Sequence, residues 1–184
     1  MTTFTQEQVD NLNLTIKTTE ESLQWVSDNL HPKVAKASSF GAEDAVVMDI
    51  MLKINPNFRF FTLGTGRLPQ ETYDIIEIVE KKYDISVEVL LPDTKEVEEM
   101  VKEKGLDLFY ESVDNRKLCC EIRKVHPMNK MLNTLDGWIT GLRRDQTKNR
   151  ENVSIFQLDH SHGGMLKINP IINWTWDQIQ EYIK

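Results

Sequence analysis

Apolar residues recur along the chain with two alternating periods, and this alternation predicts a succession of helices and strands. From residue 19 to residue 30 the apolar side chains return every three or four positions, which is the spacing of one helix face. Between residues 85 and 91 apolar positions alternate as on a half-buried strand. The predicted helices cover residues 19–30, 42–54, 69–83, 94–104, 118–135 and 174–184, and the predicted strands cover residues 33–40, 58–63, 85–91, 138–140 and 165–172.

Strands that alternate with helices in this way indicate an α/β fold, a doubly wound and mainly parallel sheet with helices on both faces. We expect one such domain over residues 19–184, preceded by a loosely attached N-terminal arm at residues 1–18. Residues 110–117 form a polar segment in which the alternating pattern is lost, and the polar, basic segment at 141–152 is expected to be a loop.

Composition and charge narrow the classes of function. The chain has 184 residues, of which 40% are apolar and 28% charged, as in an ordinary globular protein. No apolar run approaches the ~18 residues of a membrane-spanning helix, and the N-terminus lacks the pattern of a secretory signal, so we expect a cytoplasmic protein. A net charge of −7 argues against binding to nucleic acid or to a membrane, and an anionic ligand would need a local basic patch.

The first candidate site is the turn between the first predicted strand and its helix. Ser38, Ser39 and Gly41 follow that strand. In an open parallel sheet ligands bind where strands end, and backbone N–H groups and hydroxyls at a helix N-terminus can converge on an anion. A plain helix-capping turn has the same composition, so the turn alone does not decide between the two interpretations.

Two further loops are candidates for binding. Gly64 and Gly66 end the next strand, where glycine permits a positive φ or close approach to a flat ligand, although a plain turn would also explain them. Residues 141–150 carry four cations against one acid, a local charge of +3. The guanidinium groups of Arg143, Arg144 and Arg150 could bind phosphate or sulfate oxygens, and a solvated basic loop is the alternative.

The two cysteines, Cys119 and Cys120, are adjacent. A disulfide between neighbours would close a strained ring, so a structural staple is disfavoured. The basic residues that follow favour a thiolate, which could act as a nucleophile or a metal ligand. Two thiolates cannot complete an iron–sulfur cube, which normally takes four, and two buried thiols that act as small apolar groups remain the alternative.

Taken together, these segments resemble the assimilatory sulfonucleotide reductases, specifically the iron–sulfur branch that reduces adenosine 5′-phosphosulfate (APS). The matching segments are Ser-Ser-Phe-Gly-Ala-Glu-Asp at 38–44, Leu-Gly-Thr-Gly-Arg at 63–67 with Glu-Thr-Tyr at 71–73, Cys-Cys-x-x-Arg-Lys-Val-x-Pro at 119–127, Thr-Gly-x-Arg-Arg-Asp-Gln at 140–146 and Lys-x-Asn-Pro-x-x-x-Trp-Thr at 167–175. The resemblance covers residues 35–184 and implies the Rossmann-like fold of the PP-loop adenine nucleotide α-hydrolases.

The resemblance implies roles for the residues of these motifs. The residues implied in substrate binding are Ser38, Ser39, Gly41 and Glu43 of the PP-loop, Leu63, Gly64, Thr65 and Gly66 beside the adenosine, Arg143, Arg144, Gln146 and Arg150 of the arginine loop, and Lys167 of the last motif. Lys124 resembles the lysine that links cluster and substrate, and Cys119 and Cys120 resemble half the ligands of a [4Fe-4S] cluster.

In the family, a cysteine of the C-terminal tail attacks the sulfate sulfur, AMP leaves, and thioredoxin reduces the resulting S-sulfocysteine to release sulfite. That cysteine and the second cysteine pair would lie beyond Lys184. We therefore expect these 184 residues to bind APS or AMP but not to reduce APS, with thioredoxin and a second copy of the chain as further partners. Gly64 also departs from the family, which commonly has aspartate there, and Asn149 stands where threonine is usual.

Two other functions stay open at this point. One is a PP-loop ATP pyrophosphatase, which Phe40 weakens because such loops normally carry glycine at that position. The other is a non-catalytic nucleotide-binding module derived from the reductase.

Overall fold

The computed structural model describes residues 3–184, and its centre is a six-stranded sheet with the spatial order β3-β2-β1-β4-β6-β5. Neighbouring strands are parallel, except that β5 runs antiparallel to β6. The strands are β1 (Val34–Ala37), β2 (Arg59–Leu63), β3 (Val87–Leu90), β4 (Gly137–Ile139), β5 (Phe156–Asp159) and β6 (Met165–Ile168). The predicted α/β class is confirmed.

Within residues 3–184 there are eight α-helices: α1 (Gln6–Thr15), α2 (Thr19–Asn29), α3 (Ala42–Ile54), α4 (Gln70–Tyr83), α5 (Thr94–Lys104), α6 (Val113–Cys120), α7 (His126–Leu132) and α8 (Trp176–Ile183). A π-helical segment (Glu121–Val125) joins α6 to α7. Short 3-10 turns occupy residues 108–110, 144–146, 148–150 and 160–162. None of the helices in residues 3–184 is long and apolar enough to cross a membrane.

Local sequence explains where several helices begin. Thr18 and Thr175 each form a capping box, in which the threonine hydroxyl accepts from a backbone N–H one turn later. Helix α3 is apolar on most sides because it packs in the main core, where Val46, Val47 and Met51 are buried. The cap at Gly41 is different, since glycine offers the first turn of α3 no side-chain partner.

The strand order places a crevice at the centre of the sheet. From β1 the chain continues to β2 on one side, whereas β4 pairs with β1 on the other side, with Ala35 opposite both Arg59 and Trp138. The loops that follow β1 and β4 therefore diverge at their carboxyl ends. Such a switch point is where open α/β sheets bind ligands.

Three segments differ from the sequence-based expectation. Residues 1–18, expected to be a loosely attached arm, contain helix α1, which is held by buried Val9 and by two hydrogen bonds between Asn13 and the backbone of Phe156 (2.8 and 3.0 Å). Met1 and Thr2 lie outside the described residues. Strand β5 was not predicted, and the helix expected to start at 118 begins at Val113, because Ser112 caps it.

Candidate functional site

A cavity of about 550 Å³ opens at the carboxyl ends of β1, β2 and β4, at the switch point of the sheet. Ten of the fourteen residues implied by the resemblance in binding or in support line it: Ser38, Ser39, Gly41, Glu43, Leu63, Thr65, Lys124, Gln146, Arg150 and Lys167. The early serine turn and the late basic loop therefore border one cavity, although about one hundred residues separate them in the chain.

The first turn of α3 forms one wall of the cavity. Gly41, Glu43 and Asp44 all line it, and the positive end of the helix dipole there favours an anion. Phe40, just before the helix, has a φ of 61°, the left-handed conformation that glycine adopts with least strain.

Another part of the cavity wall is basic. Arg150, Lys124 and Lys167 line the cavity, and the Lys167 ammonium lies 4.9 Å from the centre of the Trp138 ring. Burial lowers the pKa of Lys167 most, the Asp159 charge opposes this, and the positive charge of Arg150 lowers the pKa further. An anion bound near these two cations would offset the repulsion between them.

Arg143 does not line the cavity, because its guanidinium is engaged elsewhere. Its Nε and Nη2 donate to Glu43 Oε1 at 3.1 and 3.0 Å, and its Nη1 pairs with Asp145. Gln146 Nε2 donates to the same Glu43 oxygen at 2.9 Å. Burial raises the pKa of Glu43, but hydrogen bonds from its own backbone N–H, Arg143 and Gln146 outweigh burial and lower it overall. This network fastens the basic loop to α3.

Three more of the implied residues lie outside the cavity. Arg144 is exposed, donates to the Val153 carbonyl at 2.9 Å and borders a second cavity of about 370 Å³ with Lys148. A Cβ on Gly64 would lie 2.7 Å from Val89 Cγ1, so this glycine is required by packing against β3. Gly66 has a φ of 72°, a left-handed conformation that glycine adopts readily, in the turn after β2.

Sequence reasoning missed two residues beneath the cavity floor. Lys36 is fully buried in β1, and its ammonium pairs with Asp44, which lines the cavity. Burial lowers the pKa of Lys36, and the Asp44 charge opposes that effect. The sequence did contain a signal for this residue, because Lys36 is the one charged residue in an otherwise apolar strand. Asn169, which is also buried, joins β4 to β6 by accepting from Thr140 Oγ1 at 2.7 Å.

The two cysteines lie in different surroundings. Cys119 is buried beside Met100, Leu108 and Ile122, whereas Cys120 is exposed, because successive helical residues point about 100° apart. Within residues 3–184, no group of three or more His, Cys, Asp or Glu side chains is arranged to hold a metal ion. A [4Fe-4S] cluster normally takes four thiolates, so these two residues do not fit one by themselves.

Known proteins are similar to this chain over most of its length. The sequence model of the phosphoadenosine phosphosulfate reductase domain matches residues 33–184. Adenosine 5′-phosphosulfate reductase 2 of Bacillus subtilis is 36% identical over 182 residues, which cover 98% of this chain and 72% of that protein. The adenosine 5′-phosphosulfate reductase of Allochromatium vinosum is 38% identical over 148 residues, 80% of this chain and 57% of the relative. The chain thus spans little more than half the length of that relative.

Solved structures show the same fold. The crystal structure of phosphoadenylyl-sulfate (PAPS) reductase from Candida auris, in a phosphate complex, has a TM-score of 0.83 at 26% identity and covers 99% of this chain and 87% of that one. FMN adenylyltransferase of Candida glabrata has a TM-score of 0.58 at 10% identity, covering 95% of this chain and 62% of its own, which indicates a shared fold alone. With the family model matched over most of its residues, the chain belongs to the phosphoadenosine phosphosulfate reductase domain family.

Proposed function

We propose that this chain is the sulfonucleotide-binding part of a thioredoxin-dependent adenylyl-sulfate reductase of assimilatory sulfate reduction, which converts APS to sulfite and AMP. The observation that carries the proposal is that the first turn of α3 and the cations Arg150 and Lys167 border one cavity at the switch point of the sheet. The curated relatives at 36–40% identity named adenosine 5′-phosphosulfate reductase support APS as the substrate.

The cavity suits a nucleotide in size and polarity. Small-molecule sites usually enclose about 300–1,000 Å³, and this cavity of about 550 Å³ lies within that range. Leu63, Leu68 and Met128 give it apolar surface for an adenine ring, while the basic wall faces the anionic end of the ligand. Cations placed there offset negative charge on the sulfate and on the departing phosphate.

The residues described here support binding rather than nucleophilic attack. In the proposed reaction a thiolate forms a bond to the sulfate sulfur while the bond between that sulfur and the bridging oxygen breaks, and AMP leaves with the oxygen. Neither cysteine is among the described residues that line the cavity. The proposal therefore assigns neither cysteine as the attacking sulfur and takes that sulfur from outside these 184 residues.

The proposal includes a [4Fe-4S] cluster only if all four thiolate ligands are available. Cys119 and Cys120 could supply two of its thiolates, with the others coming from outside these residues. Lys124, four residues after Cys120, lines the cavity, and we propose it as the lysine that links the cluster ligands to the substrate. The cytoplasmic location and association with a second copy remain predictions.

Titration calorimetry and product analysis test the proposed function. We expect APS and AMP to release heat on binding to the 184-residue chain, and thioredoxin with APS to give no sustained sulfite release. Absence of binding by either nucleotide would contradict the proposal. Release of AMP and pyrophosphate from ATP would instead favour the PP-loop pyrophosphatase, and PAPS titrated in parallel tests the preference for APS.

A further inference from the structure

The buried lysine beneath the cavity is an unusual feature of the central strand. Lys36 has no exposed surface, although β1 is otherwise apolar and small. Its ammonium donates to the Ala37 carbonyl and to Asp44 Oδ1. Taking an ammonium out of water is costly, and a buried ion pair seldom repays that cost in stability. Stabilisation of the fold therefore does not by itself explain why this ion pair is buried here.

Asp44 connects the loops on both sides of the cavity. Its Oδ2 accepts from the backbone N–H of Ser39 and, at 2.9 Å, from the Ser39 hydroxyl. A Cβ on Gly141 would overlap Asp44 Oδ1, so the loop after β4 lies directly against this carboxylate. Both donors of Ser39 are thus turned toward Asp44, and this serine shapes the turn instead of pointing its donors at a ligand.

The same carboxylate creates an electrostatic problem. Asp44 lines the cavity proposed to bind an anion, and an unpaired negative charge there would repel the phosphosulfate. Lys36 lies behind Asp44, away from solvent, and supplies the opposite charge. The pair is neutral as a unit, so the positive potential of Arg150, Lys167 and the α3 N-terminus remains available to the ligand.

We propose that Lys36 is a positioning residue for anion binding: it cancels the charge of Asp44, so that this carboxylate can hold the Ser39 turn without repelling the ligand. The proposal rests on the proposed function and adds a residue that does not touch the substrate. Lys36 acts through charge, so its loss should weaken binding of AMP much more than binding of adenosine, which carries no phosphate.

The test compares four variants with the wild-type chain by calorimetry with AMP, by competition with adenosine and by thermal unfolding. Lys36→Met removes the charge, and Lys36→Gln removes it while keeping a donor for Asp44, which covers the case in which the methionine variant does not fold. The double variant Lys36→Met with Asp44→Asn restores neutrality and keeps an acceptor for Ser39. Lys53→Met is the matched control, because Lys53 pairs with Asp49 on α3 outside the cavity.

We expect Lys36→Met and Lys36→Gln to weaken AMP binding about tenfold, with a change in adenosine binding of about twofold or less. The double variant should recover AMP affinity to within about threefold of wild type, and Lys53→Met should match wild type. Equal losses for AMP and adenosine, or a double variant weaker than the single ones, would overturn the proposal and leave Lys36 a structural residue. A wild-type chain that binds neither compound would overturn the proposed function together with it.

Discussion

The arginines of the basic loop make different contacts, and these contacts depend on the surroundings of each side chain. Arg143 is buried and pairs with Glu43, Arg144 faces a second cavity, and Arg150 lines the first. Residue type predicted an anion site in this loop but could not assign the arginines, because each role depends on which carboxylate or carbonyl lies nearby.

Arg150→Ala should therefore weaken AMP binding about tenfold, since a charged donor at the cavity wall is lost. Lys148→Ala is the matched control, because Lys148 is exposed in the same loop and borders the other cavity. Calorimetric titration with AMP measures both. Equal affinities for the two variants would mean that Arg150 does not face the ligand.

Glu43 should give the fold a pH-dependent contribution. Its pKa in the folded chain lies below the ordinary value of 4.5, so the ionised carboxylate stabilises the fold above pH 4.5, and this contribution is lost as the pH falls through the folded value. Glu43→Gln should cost about 1 kcal/mol at neutral pH and progressively less in acid, as measured by urea denaturation. Exposed Glu99→Gln is the control, and a cost for Glu43→Gln that does not change with pH would contradict this account.

Gly64 should tolerate no side chain, because β3 lies against it. A Cβ would meet Val89 Cγ1 at 2.7 Å and Leu91 Cδ2 at 2.9 Å. We expect Gly64→Ala to lower the free energy of unfolding by about 1–3 kcal/mol in chemical denaturation. At Gly41, the N-cap of α3, a Cβ would meet its nearest atoms at 3.8 and 3.9 Å, so Gly41→Ala should cost only the poorer capping by alanine, less than about 1 kcal/mol. If the two variants had equal free energies of unfolding, Val89 and Leu91 would have to move aside without loss of stability, which would contradict this prediction.

At the scale of elements, the helix that carries the cysteines is shaped by its π segment. The run from Val113 to Leu132 is helical throughout, with π geometry at Glu121–Val125. Within this segment Arg123 is buried and donates to the Thr65 carbonyl at 2.8 Å, while Lys124 lines the cavity. Such segments are rare in helices and frequent at functional sites.

Arg123→Met should destabilise the fold by about 2 kcal/mol, because the Thr65 carbonyl loses a charged donor in a buried setting. Urea denaturation measures the change. Arg116→Met is the control, since Arg116 is exposed on α6 of the same continuous helix. An Arg123 variant as stable as the Arg116 variant would show that the link between this helix and the loop after β2 contributes nothing.

The elements that the sequence predicted are those whose hydrophobic pattern is complete within a few residues. Helix α3, the buried strands β1 and β2, and the edge strand β3, whose apolar residues alternate from 85 to 91, are of this kind. Strand β5 was missed because its alternation covers only the four residues Phe156–Asp159 and its position is fixed by pairing with β6. Helix α1 was missed because it buries only Val9. The π segment leaves no mark on the local pattern.

The candidate site was predictable in outline for a related reason. Loops that follow parallel strands lie at one edge of the sheet, so the sequence could place the serine turn and the basic loop at the same edge. That β1 and β4 are neighbours there is known only from the structure. The ion pair between Lys36 and Asp44 could not be predicted from the sequence. It depends on how β1 packs beneath α3 and the loop after β4, which the local pattern does not show.

At the scale of the whole molecule, an acidic chain concentrates positive charge at one place. The net charge is −7, yet Lys124, Arg150 and Lys167 gather at the switch point of the sheet, next to the N-terminus of α3. The strand order produces this concentration, since β1 and β4 are neighbours there although a hundred residues separate them. The fold therefore gathers cationic side chains within a chain that is acidic overall, and we propose that they form an anion site.

A crystal structure of the 184-residue chain with APS bound tests this claim most directly. We predict that the phosphosulfate lies between the first turn of α3 and the side chains of Arg150 and Lys167, with the adenine toward Leu63. A nucleotide in the second cavity beside Arg144 and Lys148, or at any other surface, would contradict it.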